Sequence, residues 1–166
     1  MAKFVIGIDP GKKGGIAFIN AENPQEANVI KMPSFDDLLI GLLASHKDQI
    51  LICFVEKQWA FPKQGVTSSF NFGVSYGKLL GILQTLQIPY EEIPSLRWQT
   101  YWFGKVKNGK RPNRKKTKEL SLKKAKALFP KLQIKTDGES DALLIAEFGR
   151  RFFIVNQAGR AEKNAE

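Results

Sequence analysis

One cysteine and one histidine stand among 166 residues, and each scarcity excludes a chemistry. A lone Cys53 forms no internal disulfide, and with His46 alone it builds no thiolate or imidazole zinc set. Cys53 lies in an apolar run and is expected to be a buried free thiol. A chain of this kind is expected in the cytoplasm or another reducing compartment. The single histidine also argues against a histidine general base. No apolar run approaches the ~20 residues that span a membrane. Strand pattern begins within a few residues of Met1, which leaves no room for a signal peptide and points to a protein that is not secreted.

Acids are scarce in one place. Between Lys105 and Lys131 twelve Lys or Arg residues face a single acid, Glu119, a net of +11. The rest carries fourteen basic and fifteen acidic residues, a net of −1. A basic segment on a near-neutral body is the electrostatic footprint of a polyanion binder, with a solvated basic loop as the plain alternative. It offers Lys105, Lys107, Lys110, Arg111, Arg114, Lys115, Lys116 and Lys118 as contacts to phosphate. Such contacts position a nucleic acid without reading its sequence.

What is present suits one domain over 1–154, with a polar tail over 155–166 that is expected to be disordered. Phe4, Val5, Ile6 and Ile8 form a near-continuous apolar run, a strand covered on both faces. It ends in Asp9, and Pro10-Gly11 turns the chain. Gly15–Ile19 reads as an antiparallel second strand and Val29–Met32 as a third. Leu38, Leu39, Leu42 and Leu43 make a helical stripe. Ile50–Val55 repeats the opening pattern, an apolar strand with an acid, Glu56, at its tip.

The loop after Glu56 carries Trp59 and Phe61, which suit either stacking on bases or anchoring on the core. Ser68 or Ser69 is expected to cap a long helix to about Gln87. Gly73, Gly77 and Gly81 share one side of it, which suggests close approach to the sheet or to a second subunit. Ile88–Ile93 is an outer strand between prolines. Ser95 is expected to cap a short helix bearing Trp98, Tyr101 and Trp102. Thr117 is expected to cap a helix with Lys118, Lys123, Lys124 and Lys126 outward. Thr136 and Glu139 fit a capping box opening a last helix. Asp137 and Asp141, four residues apart, then share one helix face, with Glu139 turned away.

Four acids thus have correlated placements: Asp9 and Glu56 at strand tips, Asp137 and Asp141 on one helix face. Oxygen donors without Cys or His nearby select Mg²⁺ or Mn²⁺. Gathered without a cation they would repel one another. Two divalent ions about 4 Å apart would relieve that repulsion and activate water against a phosphodiester.

The Gly7-Ile-Asp-Pro-Gly11 turn, Glu56 after its strand and the run Asp137-Gly-Glu-Ser-Asp141-Ala-Leu-Leu-Ile-Ala146 resemble RuvC-type Holliday-junction resolvases, which are RNase H-like nucleases. The resemblance runs from about Lys3 to Arg151. It implies an α/β fold with a five-stranded mixed sheet, three antiparallel strands followed by parallel ones, flanked by helices. It implies a homodimer that nicks a four-way DNA junction in pairs with Mg²⁺. By motif position Asp9, Glu56, Asp137 and Asp141 are the implied metal ligands and catalytic acids. Trp59 matches an aromatic near the junction centre, and the helix after Glu56 is the implied dimer contact. Bacterial members space the last two acids by three residues, whereas here they are four apart. The other readings are an RNase H-like nuclease on another branched or hybrid nucleic acid and a non-catalytic junction-binding protein. An actin-like ATPase, which shares the opening strand motif, would need a second repeat domain that 166 residues cannot hold.

Overall fold

The computed structural model describes residues 2–34, 36–59, 65–104 and 113–163, with the backbone alone for 114 and 155–163. Five strands form one mixed sheet in the order β3-β2-β1-β4-β5. They are β1 (Phe4–Asp9), β2 (Gly15–Asn20), β3 (Ala27–Lys31), β4 (Ile50–Lys57) and β5 (Tyr90–Pro94). β1, β2 and β3 pair antiparallel. β4 adds parallel to the free flank of β1, and β5 adds parallel to β4. The proline-flanked strand is therefore an edge strand, where a missing N–H costs no ladder bond.

Side chains alternate between two cores, as the strand period requires. Ile6, Ile8, Ile16, Phe18, Cys53 and Val55 pack under Leu39 and Leu43 of α1 (Asp36–His46) and Leu79 and Leu83 of α2 (Val66–Thr85). Val5, Ala17, Ile19, Phe54 and Ile93 pack on the opposite face. There they meet Trp98 of α3 (Ser95–Phe103), Ala125 of α4 (Arg114–Leu128) and the apolar run Ala142 to Ala146 of α5 (Asp137–Lys163). Cover on both faces is what the unbroken apolar runs of β1 and β4 require. Cys53 is a buried free thiol, and that burial raises its pKa well above the usual thiol range. Among the described residues, no helix is long and apolar enough to cross a membrane.

Three helices start earlier than their polar residues suggest. Gly65, not Ser68 or Ser69, precedes α2, and Pro94, not Ser95, precedes α3. At α4 the cap is Asn113, whose side chain accepts from the Lys116 N–H at 2.9 Å, while Thr117 lies one turn inside. Asparagine ranks among the best N-caps, and at Asn113 it takes the role first. The backbone of α5 runs to Lys163, across the point at Val155 where the sequence turns polar.

Candidate active site

Val5, Gly7 and Asp9 alternate onto the α5 face of β1, and Phe54 and Glu56 onto the same face of β4. The parallel register ends at Ile8 opposite Val55, so Asp9 and Glu56 are the next residues on adjacent strands. Gly7 lets α5 lie directly on β1. A Cβ there would stand 2.3 Å from both Ala142 O and Ala146 N. Gly138 does the same one turn earlier, where a Cβ would stand 2.1 Å from Lys13 O in the β1–β2 turn. These two contacts bring the first turns of α5, with Asp137 and Asp141, to the strand tips.

The capping box forms as its spacing predicts. The Thr136 N–H donates to Glu139 Oε2 at 2.8 Å, and the Glu139 N–H donates to Thr136 Oγ1 at 3.2 Å. The Lys135 N–H also donates to Glu139 Oε2, at 2.6 Å. Glu139 is thereby consumed in buried backbone capping, which leaves Asp137 and Asp141 as the acids facing the sheet tips.

All four acids line one cleft of about 680 Å³. Lys13, Lys31, Lys118 and Lys135 line it with them, as do Gln58, Phe72 and Gln99. The cleft therefore joins clustered carboxylates to a cationic rim, a combination suited to a phosphate that must approach negative side chains.

Burial governs the electrostatics. It pushes the Asp141 carboxyl up to about 7; Glu56 and Asp137 push the same way, while Ser121 and Lys118 oppose. Ser121 lies close enough to favour the charged form. Yet neither Ser121 Oγ nor Asp141 Oδ1 meets a partner at hydrogen-bond geometry, and both atoms are buried. Burial also raises Glu56, opposed by hydrogen bonds from Trp98 and Gln58. The Trp98 indole N–H donates to Glu56 Oε2 at 2.8 Å, and Gln58 Nε2 makes a long 3.4 Å approach to Oε1.

Lys118 differs from its expected place among outward lysines. Its ammonium turns into the cleft and pairs with Asp137. Lys115 and Lys116 are exposed on the first turn of α4, and Arg114 opens that helix. Lys105, Lys107, Lys110 and Arg111 lie outside the described residues, as does Phe61. Trp59 is 55% exposed, with Lys57 Nζ 4.7 Å from its ring centroid, so it is no core anchor. Sequence reasoning passed over Lys13, Lys31, Lys135, Phe72 and Gln99. Of these only Lys13, four residues after Asp9 in a tight turn, carried a local signal.

A divalent cation suits this donor set in its chemistry. The donors are hard oxygens, and Asp141 Oδ1 is buried without a partner. Among the described residues, however, no three His, Cys, Asp or Glu side chains close into a metal-holding group. The acids share a cleft without forming a finished coordination shell.

No family model matches the sequence, and no curated protein matches it either. Solved structures do match. A structure of RuvC from Thermus thermophilus is 18% identical at a TM-score of 0.56, covering 86% of this chain and 90% of that one. T. thermophilus RuvC in complex with Holliday junction substrate is 18% identical at a TM-score of 0.58, covering 87% and 90%. The fold is RuvC-like, with the five-stranded mixed sheet that the resemblance implies.

Proposed function

We propose that this protein is a divalent-metal-dependent, structure-selective DNA endonuclease that resolves Holliday junctions by paired symmetric nicks. The observation that carries the reading is the convergence of Asp9, Glu56, Asp137 and Asp141 on one lysine-rimmed cleft. A pure DNA binder gains nothing from a cluster of partly buried negative charge, which costs stability and repels phosphate. A RuvC-like fold, one of whose solved examples holds a Holliday junction, supports the choice of a branched substrate.

Mg²⁺ or Mn²⁺, one or two ions held among these four acids, would supply a Lewis acid and an acidified water for phosphodiester hydrolysis. The chain's own residues do the rest. Lys13, Lys31 and Lys135 offset the phosphate charge at the cleft rim. Lys118 places a cation beside Asp137. The exposed Lys115 and Lys116 extend the positive surface along α4, and Trp59, exposed beyond Glu56, is placed to stack on an unpaired base at the branch point. The paired nicks require two clefts, which a homodimer provides.

A synthetic four-way junction, a duplex and an RNA–DNA hybrid, each incubated with Mg²⁺, test the reading. The junction alone is expected to be cut, by nicks in two opposed strands. Equal cutting of junction and duplex removes the structure selectivity, and preference for the hybrid moves the activity to another RNase H-like class. Asp9→Asn is expected to abolish cleavage while junction binding persists, because binding rests on the lysines.

A further inference from the structure

The geometry points to Trp98 as the residue that positions the Glu56 carboxylate for cation binding, an inference that rests on the nuclease reading above. Trp98 is 0% exposed and belongs to the core between the sheet and α5. Its ring is held edge-on against Phe103, with centroids 6.4 Å apart. An indole N–H is a donor only, so a buried tryptophan must find an acceptor. Here the acceptor is Glu56 Oε2, at 2.8 Å.

Forty-two residues separate the two, so the contact follows from the fold and from no local motif. A donor seated in a packed core has little freedom, and the oxygen it binds inherits that rigidity. A hydrogen bond to a carboxylate is also stronger than one between neutral groups. Among the described residues Oε1 meets the long approach of Gln58 Nε2 at 3.4 Å, and it faces the cleft where a cation would sit. Loss of such a partner, which orients a metal-binding carboxylate through its other oxygen, typically costs about 10- to 100-fold in metal affinity or activity.

The neighbouring indole is the natural control. Trp102, one turn along α3, donates its N–H to the backbone oxygen of Leu144 at 2.9 Å and so fastens α3 to α5. Both tryptophans satisfy an indole donor, the buried Trp98 on an acid of the cleft and the half-buried Trp102 on backbone. A purely structural account treats the two alike; positioning separates them.

The test uses the full chain as Trp98→Phe and Trp102→Phe. Measurements are the indole N–H spectrum, Mn²⁺ binding by calorimetry, and Mg²⁺-dependent cutting of a synthetic four-way junction. The Trp98 indole resonance is expected to move when Mg²⁺ is added to the unaltered protein and, separately, in the Glu56→Gln variant, with the Trp102 resonance unmoved in both. Trp98→Phe is expected to weaken Mn²⁺ binding and lower kcat about 10- to 100-fold, with KM for the junction unchanged. Trp102→Phe is expected to lower Tm while leaving kcat and Mn²⁺ affinity as they were.

If Trp98→Phe does not fold, benzothienylalanine at position 98 keeps the bicycle, removes the N–H and takes the same measurements. The inference is overturned if the unaltered protein cuts the junction while the Trp98 variant matches it in Mn²⁺ affinity and kcat. It is equally overturned if that variant loses only Tm, as Trp102→Phe does. An unaltered protein that binds Mn²⁺ at none of these acids and cuts no junction overturns the nuclease reading itself, and the inference with it.

Discussion

Lys118 on α4 donates its ammonium to Asp137 at the start of α5, so a cation of the chain itself rests on one of the four cleft acids. Both side chains are nearly half exposed, and pairs so placed contribute under about 1 kcal/mol. Lys118→Met is therefore expected to shift the thermal midpoint by no more than a few degrees. Its effect on junction cleavage is expected to be large, roughly 100-fold, as when a group facing developing negative charge is removed. Thermal unfolding and single-turnover cleavage on the same samples check this. Normal cleavage with a collapsed midpoint would make Lys118 a fastening between helices and nothing more.

Gly7 is the second point at which a small change has a foreseeable result. An alanine methyl there meets backbone atoms of Ala142 and Ala146, and backbone cannot swing aside as a side chain can. Overpacking of this kind costs about 1–3 kcal/mol, sometimes more, and here it pushes α5 away from β1. Urea denaturation of Gly7→Ala is expected to show a loss of at least about 2 kcal/mol. Cleavage is expected to fall further than stability explains, because Asp141 moves away from Asp9 as the helix lifts.

Acidity gives a third prediction. In the metal-free protein burial, then the charges of Glu56 and Asp137, hold the Asp141 proton up to about pH 7. An unfolded aspartate releases it near pH 3.9. Between about pH 4 and pH 7 the folded state thus binds more protons than the unfolded state, so stability falls as pH rises. The contribution is fully present below about pH 4 and gone above about pH 7, with a slope of at most about 1.4 kcal/mol per pH unit. Glu56, raised chiefly by its own burial, acts in the same direction. Urea denaturation from about pH 5 to about pH 8 is expected to show the fall, and Asp141→Asn is expected to flatten it and to be the more stable chain at the upper end. Mg²⁺ is expected to raise the unaltered protein's midpoint more near pH 8 than near pH 5. Equal slopes for the two chains would show that Asp141 is better solvated than its burial implies.

How much of this was legible beforehand depends on the range of the interaction. The apolar runs of β1 and β4 with their terminal acids, and the Thr136–Glu139 box, are local patterns, and the structure reproduces them. The mixed sheet was implied by the family resemblance that the motifs carry, and not by strand pattern alone. Helix starts shifted: α2 and α3 open after Gly65 and Pro94 without any side-chain cap, and at α4 an asparagine one turn earlier took the role from Thr117. Lys118 looked like any outward lysine on a basic helix, since its contact to Asp137 arises only when α4 packs on α5. In the sequence Trp98 is one of several aromatics on a short helix, and nothing local marks its burial or names Glu56 as its acceptor.

The outer stripe of α2 gives the last prediction. Phe70, Gly73, Val74, Gly77 and Gly81 follow one another at helical spacing, opposite the buried Leu79 and Leu83. Phe70 is 69% exposed and Val74 43%. Among the described residues, which include the whole sheet, a Cβ added at any of the three glycines would meet nothing within 4 Å, so they serve no close approach to this chain's own sheet. Each still costs the helix about 1 kcal/mol relative to alanine. Of the two uses that the stripe suggested, packing on the sheet is thereby removed, and contact with a second copy is the one that remains. Sedimentation is expected to find the unaltered protein as a dimer and Phe70→Glu/Val74→Glu as a monomer of unchanged fold, since neither side chain is part of a core. The monomer is expected to bind a junction yet nick its strands independently, because paired cutting needs two clefts held together. A monomeric unaltered protein, or a double variant that stays dimeric, would place the subunit contact elsewhere and leave the glycines without a use.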